Sequence, residues 1–177
     1  MITYKNLNED EICKELFNGF IRHQVVTKCY RREKDKWVIK DDPFIDDWSE
    51  SEYKILVDCL KNTVRTGGLV CGAFLKGILK GFVSVESELW CDEYLDLSAI
   101  HISEEMRGKG IGKTLFLKAK KWASKHGAKK LYISAHSAVE TQEFYKAMGC
   151  IEAKIYNERH VEAEPYDCQM ECELSGV

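Results

Sequence analysis

The sequence has 177 residues, 45% of them hydrophobic and 31% charged, with a net charge of −3. Such a chain is globular in composition and long enough to bury one substantial core. Its negative balance argues against a nucleic-acid binder, which carries a basic surplus, and no apolar run approaches the roughly 18 residues of a membrane span. MITYKNLNEDEIC at the N-terminus has no basic stretch followed by an apolar one, so it does not read as a signal peptide, and a cytoplasmic protein is expected.

MITYKNL alternates as a first strand. NEDEICKELFNGFIRH predicts a helix with Ile12, Leu16, Phe17 and Phe20 on one face, and Asn8 with Glu11 suits a capping box. Between Val25 and Phe44 the text is mixed, either an irregular loop or a hairpin across KDK, with Pro43 expected to stop any element. A second helix follows, with Ser49 as its cap and Gly67 as its stop. LVCGAFL and ILKGFVSVESELW read as strands joined at Lys76-Gly77, and EYLDLSAIHIS as a further strand. Next comes a helix with Ile111, Leu115, Phe116, Ala119, Trp122 and Ala123 on one side, ended by Gly127. KKLYISAH is a strand, SAVETQEFYKAMG a helix closed by Gly149, and CIEAKIYN and YDCQMECEL two late strands. The order β-α-α-β-β-β-α-β-α-β-β is that of a mixed α+β domain.

Charge is segregated along this order. Arg107 to Lys130 holds nine Lys or Arg and no acid, which leaves the rest of the chain at −12. Asp41 to Asp58 carries seven acids against one Lys, and Glu86 to Asp96 five acids and no base. A site with a positive and a negative side would suit an anionic cofactor and a cationic substrate. The eight cysteines are scattered through apolar segments without a CxxC pair, which reads as reduced, mostly buried thiols. Cys168 and Cys172 have no partner pair to complete a zinc site, so no metal is expected.

In EEMRGKGIGKT three alternating glycines stand where a helix begins. A P-loop fails because Arg107 occupies its first glycine position, and a dinucleotide fingerprint fails because Lys113 occupies its third. What remains is a strand end, a tight turn and a helix N-terminus with unpaired amides, flanked by Arg107, Lys109 and Lys113: a site for a diphosphate.

RGKGIG, Arg107 to Gly112, resembles the R/Q-x-x-G-x-G/A acetyl-coenzyme A loop of the GNAT superfamily of N-acetyltransferases. LSAIHISEEM resembles the family's central strand, and ETQEFYKAMGC its second conserved block, A-x-x-F-Y-x-x-x-G-F. The resemblance covers roughly residues 68 to 157. It implies a central, mostly antiparallel but mixed and splayed sheet of about six or seven strands with about four flanking helices. Residues 1–177 then form a single N-acetyltransferase domain: 1–67 on the acceptor side, 68–157 the cofactor-binding core, and 158–177 a C-terminal strand.

It further implies that amides of Arg107, Gly108, Lys109, Gly110, Ile111, Gly112 and Lys113 hold the coenzyme A diphosphate. Ile100 and Ile102 would run beside the pantetheine arm as an added strand, and Tyr145 would stand near the thioester sulfur. Two departures are Ala138, where the family often has Asn, and Cys150, where it has Phe.

The chemistry expected is direct transfer of an acetyl group from acetyl-CoA to a primary amine of a small, cationic acceptor. Amides near Ile100 to Ile102 would serve the oxyanion, and Tyr145 the departing sulfur. A carboxylate base is needed, and Glu86 and Asp96 flank the strands bordering the cleft. Cys150 is a rival nucleophile with no His spaced to activate it, and His101, His126, His136 and His160 read as structural or exposed. The alternative function is a non-catalytic acyl-CoA-binding module. No nucleic-acid or membrane partner is expected, and a homodimer is what similar proteins suggest.

Overall fold

The computed structural model describes residues 1–175. Among the described residues there are nine strands and four α-helices: β1 (Ile2–Asn6), β2 (His23–Glu33), β3 (Lys36–Asp47), α1 (Glu50–Arg65), β4 (Leu69–Leu75), β5 (Ile78–Val85), β6 (Tyr94–Ile102), α2 (Ile111–Lys125), β7 (Lys130–Ala135), α3 (Val139–Ala147), β8 (Ile151–Glu152), α4 (Glu158–Ala163) and β9 (Cys168–Glu173). Seven strands form one sheet in the order β1-β4-β5-β6-β7-β9-β8, while β2 and β3 pair separately. Only β6 and β7 run parallel; the other pairings are antiparallel, giving the mixed sheet expected.

Each face of the sheet has its own core. On one side the α2 stripe of Ile111, Leu115, Phe116, Ala119 and Ala123 packs on Val83, Leu97, Leu131 and Ile133. Fully burying a side chain as large as Leu115 or Phe116 stabilises the fold by about 1.5–3 kcal/mol. On the other side Val57 and Leu60 of α1 join Phe17, Phe20, Val70 and Phe82. Helix α1 begins as its sequence directs: Ser49 accepts from the Glu52 amide, and the Glu52 carboxylate accepts from Ser49 N–H at 2.7 Å.

Three expectations are corrected. The stretch after β1 is not an α-helix but two 3-10 turns, Glu9–Glu11 and Lys14–Phe17. The Asn8–Glu11 capping box forms, yet Gly19 at φ +84° reverses the chain. Phe17 and Phe20 then each reach Phe82 with ring centroids 5.7 Å apart; packing on the sheet outweighs helical propensity. Residues 25–44 form the hairpin alternative, turning through Lys34 and Asp35 at φ 46° and 65°. Pro43 does not end β3: the ladder shifts between Val26 and Lys28 opposite it, so its missing N–H falls in a bulge. CIEAKIYN yields only the two-residue β8, and α4 follows where no helix was expected. That six-residue helix is too short to leave a periodic signature, and Asn157 caps it by accepting from Arg159 N–H at 3.1 Å.

Candidate active site

Strands β6 and β7 pair through three residues only: Tyr94 with Lys130, Leu95 with Leu131 and Asp96 with Tyr132. Beyond Asp96 they part, while β6 stays paired with β5 as far as Ile102. The register with β5 steps between Ser84–Ala99 and Val85–Leu97, leaving Ser98 as an extra residue beside the point of divergence. The bulge sorts the side chains. Leu95, Leu97, Ile100 and Ile102 face α2, whereas Ala99 and His101 face the opposite side with Phe82.

Main-chain groups sort likewise. Ser103 N–H donates to the Lys80 carbonyl on the β5 side at 2.9 Å, so the alternation of an antiparallel ladder turns the amides of Ile102 and Ile100 outward, into the cleft. The cleft therefore has a strand edge at Ile100 and Ile102 with no neighbouring strand; the Ile102 carbonyl accepts from Arg107 Nε at 3.2 Å, and the outward amides are open to an extended ligand.

The glycine turn sits at the mouth of this cleft. Gly108 and Gly110 adopt φ +73° and +79°, and a side chain at either would project into open space; they are glycine for the backbone, in the region other residues rarely enter. Gly110 caps α2 without a side chain, so the first amides of the helix keep no intrahelical acceptor. The sequence reading of this loop changes in two places. Arg107 N–H already donates to the Glu104 carbonyl at 3.2 Å, so the free amides begin at Gly108. Gly112 serves packing rather than exposure, since a Cβ there would lie 3.2 Å from Phe144 Cε2 of α3. Lys109 Nζ turns back onto the Glu105 carbonyl at 2.8 Å, and the exposed Lys113 sits on the first turn of α2.

Tyr145 is 5% exposed on α3, its ring 6.1 Å from Phe116 of α2. Burial pushes its phenol above the usual range, and a phenol is protonated at neutral pH in any case. Cys150 is buried, and contact with Cys172 together with burial raises its thiol pKa, which disfavours it as a nucleophile. All eight cysteines are free, and five are buried. Ala138 lies fully buried beneath Val26 and Cys29 of the hairpin, a place that a small side chain allows.

The face opposite α2 carries the titratable groups. Glu86 leaves β5 with its amide on the Asp96 carbonyl, and its carboxylate accepts from Thr63 Oγ1 of α1 at 2.8 Å, which ties it to the helix. Asp96 is differently placed, at the last paired residue before the strands part. Its Oδ1 accepts from Trp90 Nε1 at 2.7 Å and its Oδ2 meets His160 Nε2 at 2.8 Å.

His160, on the unexpected α4, stacks over Tyr132 with centroids 5.6 Å apart, and the Asp96 hydrogen bond raises its pKa above 6.5. Beside it Asp167 accepts from Ser134 Oγ at 3.0 Å, and burial raises that carboxyl. His101 stands across the cleft with its ring 4.6 Å from Trp48, kept neutral by burial and by Arg22 and Arg107. The hairpin roofs this side: Tyr30 N–H donates to the Ser137 carbonyl at 2.8 Å and Phe44 packs 5.4 Å from His136. The sequence offers Asp96 as a candidate base and reads His160 as structural or exposed, while the segment of Asp167 carries no motif.

A mixed sheet parting at its centre, with a free helix N-terminus at the opening, is the architecture of a coenzyme A-dependent acyltransferase. The comparison with known proteins agrees. The chain belongs to the acetyltransferase (GNAT) family, whose family model matches residues 29–150. It is 28% identical over 123 residues to the spermidine N(1)-acetyltransferase of Thermoplasma acidophilum, covering 65% of this chain and 74% of that one. Its fold is similar to the crystal structure of nourseothricin acetyltransferase, at 16% identity, TM-score 0.72 and 98% of each chain. It is also similar to the PaiA N-acetyltransferase of Thermoplasma acidophilum in complex with coenzyme A, at 18% identity, TM-score 0.61, 98% of this chain and 99% of that one. Among the described residues no helix is long and apolar enough to cross a membrane.

Proposed function

We propose that this chain transfers the acetyl group of acetyl-CoA directly to a primary amine of a small, cationic acceptor, with the two substrates meeting where β6 and β7 part. The observation that carries this reading is the break in pairing after Asp96, with the free amides of α2 at one end of the gap and the Asp96–His160 pair at the other.

Amides from Gly108 to Lys113, with the charge of Lys113, hold the diphosphate, and the outward edge of Ile100 and Ile102 aligns the pantetheine arm. A thioester is already activated, so holding it against the amine supplies much of the acceleration. Asp96 has both oxygens engaged and is a positioning residue; it fixes the tautomer and raises the basicity of His160, whose Nδ1 is left to take the proton of the amine. As the C–N bond forms and the C–S bond breaks, Tyr145 gives the departing sulfur a hydrogen bond. Glu86, tied to Thr63, is set aside as the base. The cationic acceptor is supported by the carboxylates on this face and by the spermidine acetyltransferase among the relatives.

A coenzyme A-release assay with acetyl-CoA and a panel of polyamines, aminoglycosides and amino acids tests the reading. Release with at least one amine, lost in His160→Gln while acetyl-CoA still binds, is expected. Tight acetyl-CoA binding without release for any amine would replace it with a non-catalytic acyl-CoA-binding module.

A further inference from the structure

In the core beneath α2 two thiols meet that the transfer reaction does not use, Cys150 and Cys172. β8 pairs with β9 through Ile151 with Glu171 and Glu152 with Met170, and the same register carried one residue back sets Cys150 opposite Cys172. Ala153 N–H donates to the Gln169 carbonyl at 2.9 Å, so those two residues are a hydrogen-bonded pair. Alternation then makes Cys150 and Cys172 a non-hydrogen-bonded pair, the kind in which side chains approach most closely. Cys172 Sγ lies 3.7 Å from the Met148 carbonyl, in the turn that leads from α3 into Cys150, and the two thiols are in hydrogen-bond contact. The other strand cysteines face different residues: Cys29 faces Lys40, Cys71 faces Asn6 and Val83, and Cys168 faces Ala135.

The pair is also placed to react. Lys120 of α2, which is only partly buried, stands beside Cys172. The hydrogen bond from Cys150 first, and the Lys120 ammonium after it, draw the Cys172 thiol down to about 7 against the opposing effect of burial. A thiolate beside a cation, with a second thiol in contact, is the arrangement that meets an oxidant and resolves to a disulfide. Both cysteines are buried, but β8 is two exposed residues at the edge of the sheet. A local opening there uncovers the pair at small cost in free energy.

We propose that Cys150 and Cys172 are a site of reversible oxidation, closed to a disulfide by hydrogen peroxide. The Cys172 thiolate attacks one peroxide oxygen, the O–O bond breaks, and hydroxide leaves a sulfenic acid on Cys172. The thiolate that held the Cys150 proton is then gone. The Cys150 sulfur attacks the sulfenic sulfur, and its proton leaves with the hydroxyl group as water. Two thiols and one peroxide thus become one disulfide and two waters, and a dithiol reductant reverses the change. The crosslink closes a loop over residues 151–171, which carry α4, His160 and Asp167, and holds that segment against local opening. This inference goes beyond the transferase reading and stands or falls without it.

The experiment treats the full chain with a small excess of hydrogen peroxide, blocks the remaining thiols with N-ethylmaleimide under denaturant, and reads unreduced peptides by mass spectrometry. Cys150 linked to Cys172 should be the dominant disulfide. The melting temperature should rise by about 5 °C or more, as closing a loop of this length does. Amide exchange over residues 153–167 should slow, and dithiothreitol should restore every starting value. Cys150→Ser and Cys172→Ser should each lose the linked peptide and the rise, while Cys168→Ser keeps both. Lys120→Met, a change outside the core, should slow crosslinking by about threefold or more. The proposal is overturned if wild-type Cys150 and Cys172 stay open to alkylation once the exposed Cys59 and Cys91 are oxidised. Dominant linkage through any other pair, or a Cys150–Cys172 crosslink that leaves the melting temperature unchanged, also overturns it.

Discussion

On the α2 face, the groups proposed for coenzyme A are main-chain amides from Gly108 to Lys113 and the outward edge of Ile100 and Ile102, all within residues 100–113. On the opposite face the offered groups are side chains, Asp96, Ser134, His160 and Asp167, brought from four segments between residues 96 and 167. The first site depends on backbone conformation. The second depends on side-chain identity and on three elements, β6, β7 and α4, staying in place. In the proposed reading, main-chain atoms meet the cofactor and side-chain atoms meet the acceptor.

The strongest way to break this contrast is at the acceptor side. His160→Gln should lower kcat by about 10²–10⁴, the usual range for a general base, with acetyl-CoA affinity unchanged by calorimetry. Asp96→Asn should lower kcat less and move the pH–rate limb to lower pH, because the hydrogen bond that raises the His160 pKa above 6.5 is weakened. An unchanged pH profile in both variants would remove the pair from the chemistry.

The converse test is Gly110→Glu. A side chain at φ +79° costs on the order of 1–2 kcal/mol, and a carboxylate at a helix N-terminus opposes an incoming diphosphate. Coenzyme A affinity should fall by about 100-fold, while the pH dependence of residual turnover stays that of wild type. Gly112→Leu separates packing from binding. Forced against Phe144, it should destabilise the fold by about 1–3 kcal/mol in denaturant melts, as overpacking does.

Tyr145→Phe should lower kcat by about tenfold, the loss of one hydrogen bond of about 1.4 kcal/mol, with little change in acetyl-CoA binding. The smallest effect is on stability. His160 has its pKa raised in the folded state, so its attraction to Asp96 is fully present below pH 6.5 and fades as pH rises through the folded value. Wild type should therefore exceed Asp96→Asn in melting temperature by more at pH 6 than at pH 9.

The contrast also explains what could be read without coordinates. The glycine turn is legible because Gly108 and Gly110 have a conformational reason to be glycine, and such a reason is local. Gly112 belongs to the same motif for a different reason, contact with Phe144, which only packing reveals. Asp96 was legible as a candidate by its place near the end of a charged run, but nothing in the text joined it to His160, 64 residues later. The helix expected after β1 gave way to 3-10 turns because Phe17 and Phe20 gain more against Phe82 than a helical ladder offers.

By itself, the sequence determined the order of the central elements, the caps of α1 and the turn before α2. Each of these is set by contacts within a few residues. The tertiary structure decided where β6 and β7 part, that the hairpin roofs the cleft, and which carboxylate meets a histidine. Those outcomes depend on pairings between segments far apart in the chain, where burial and register, rather than local propensity, select the arrangement.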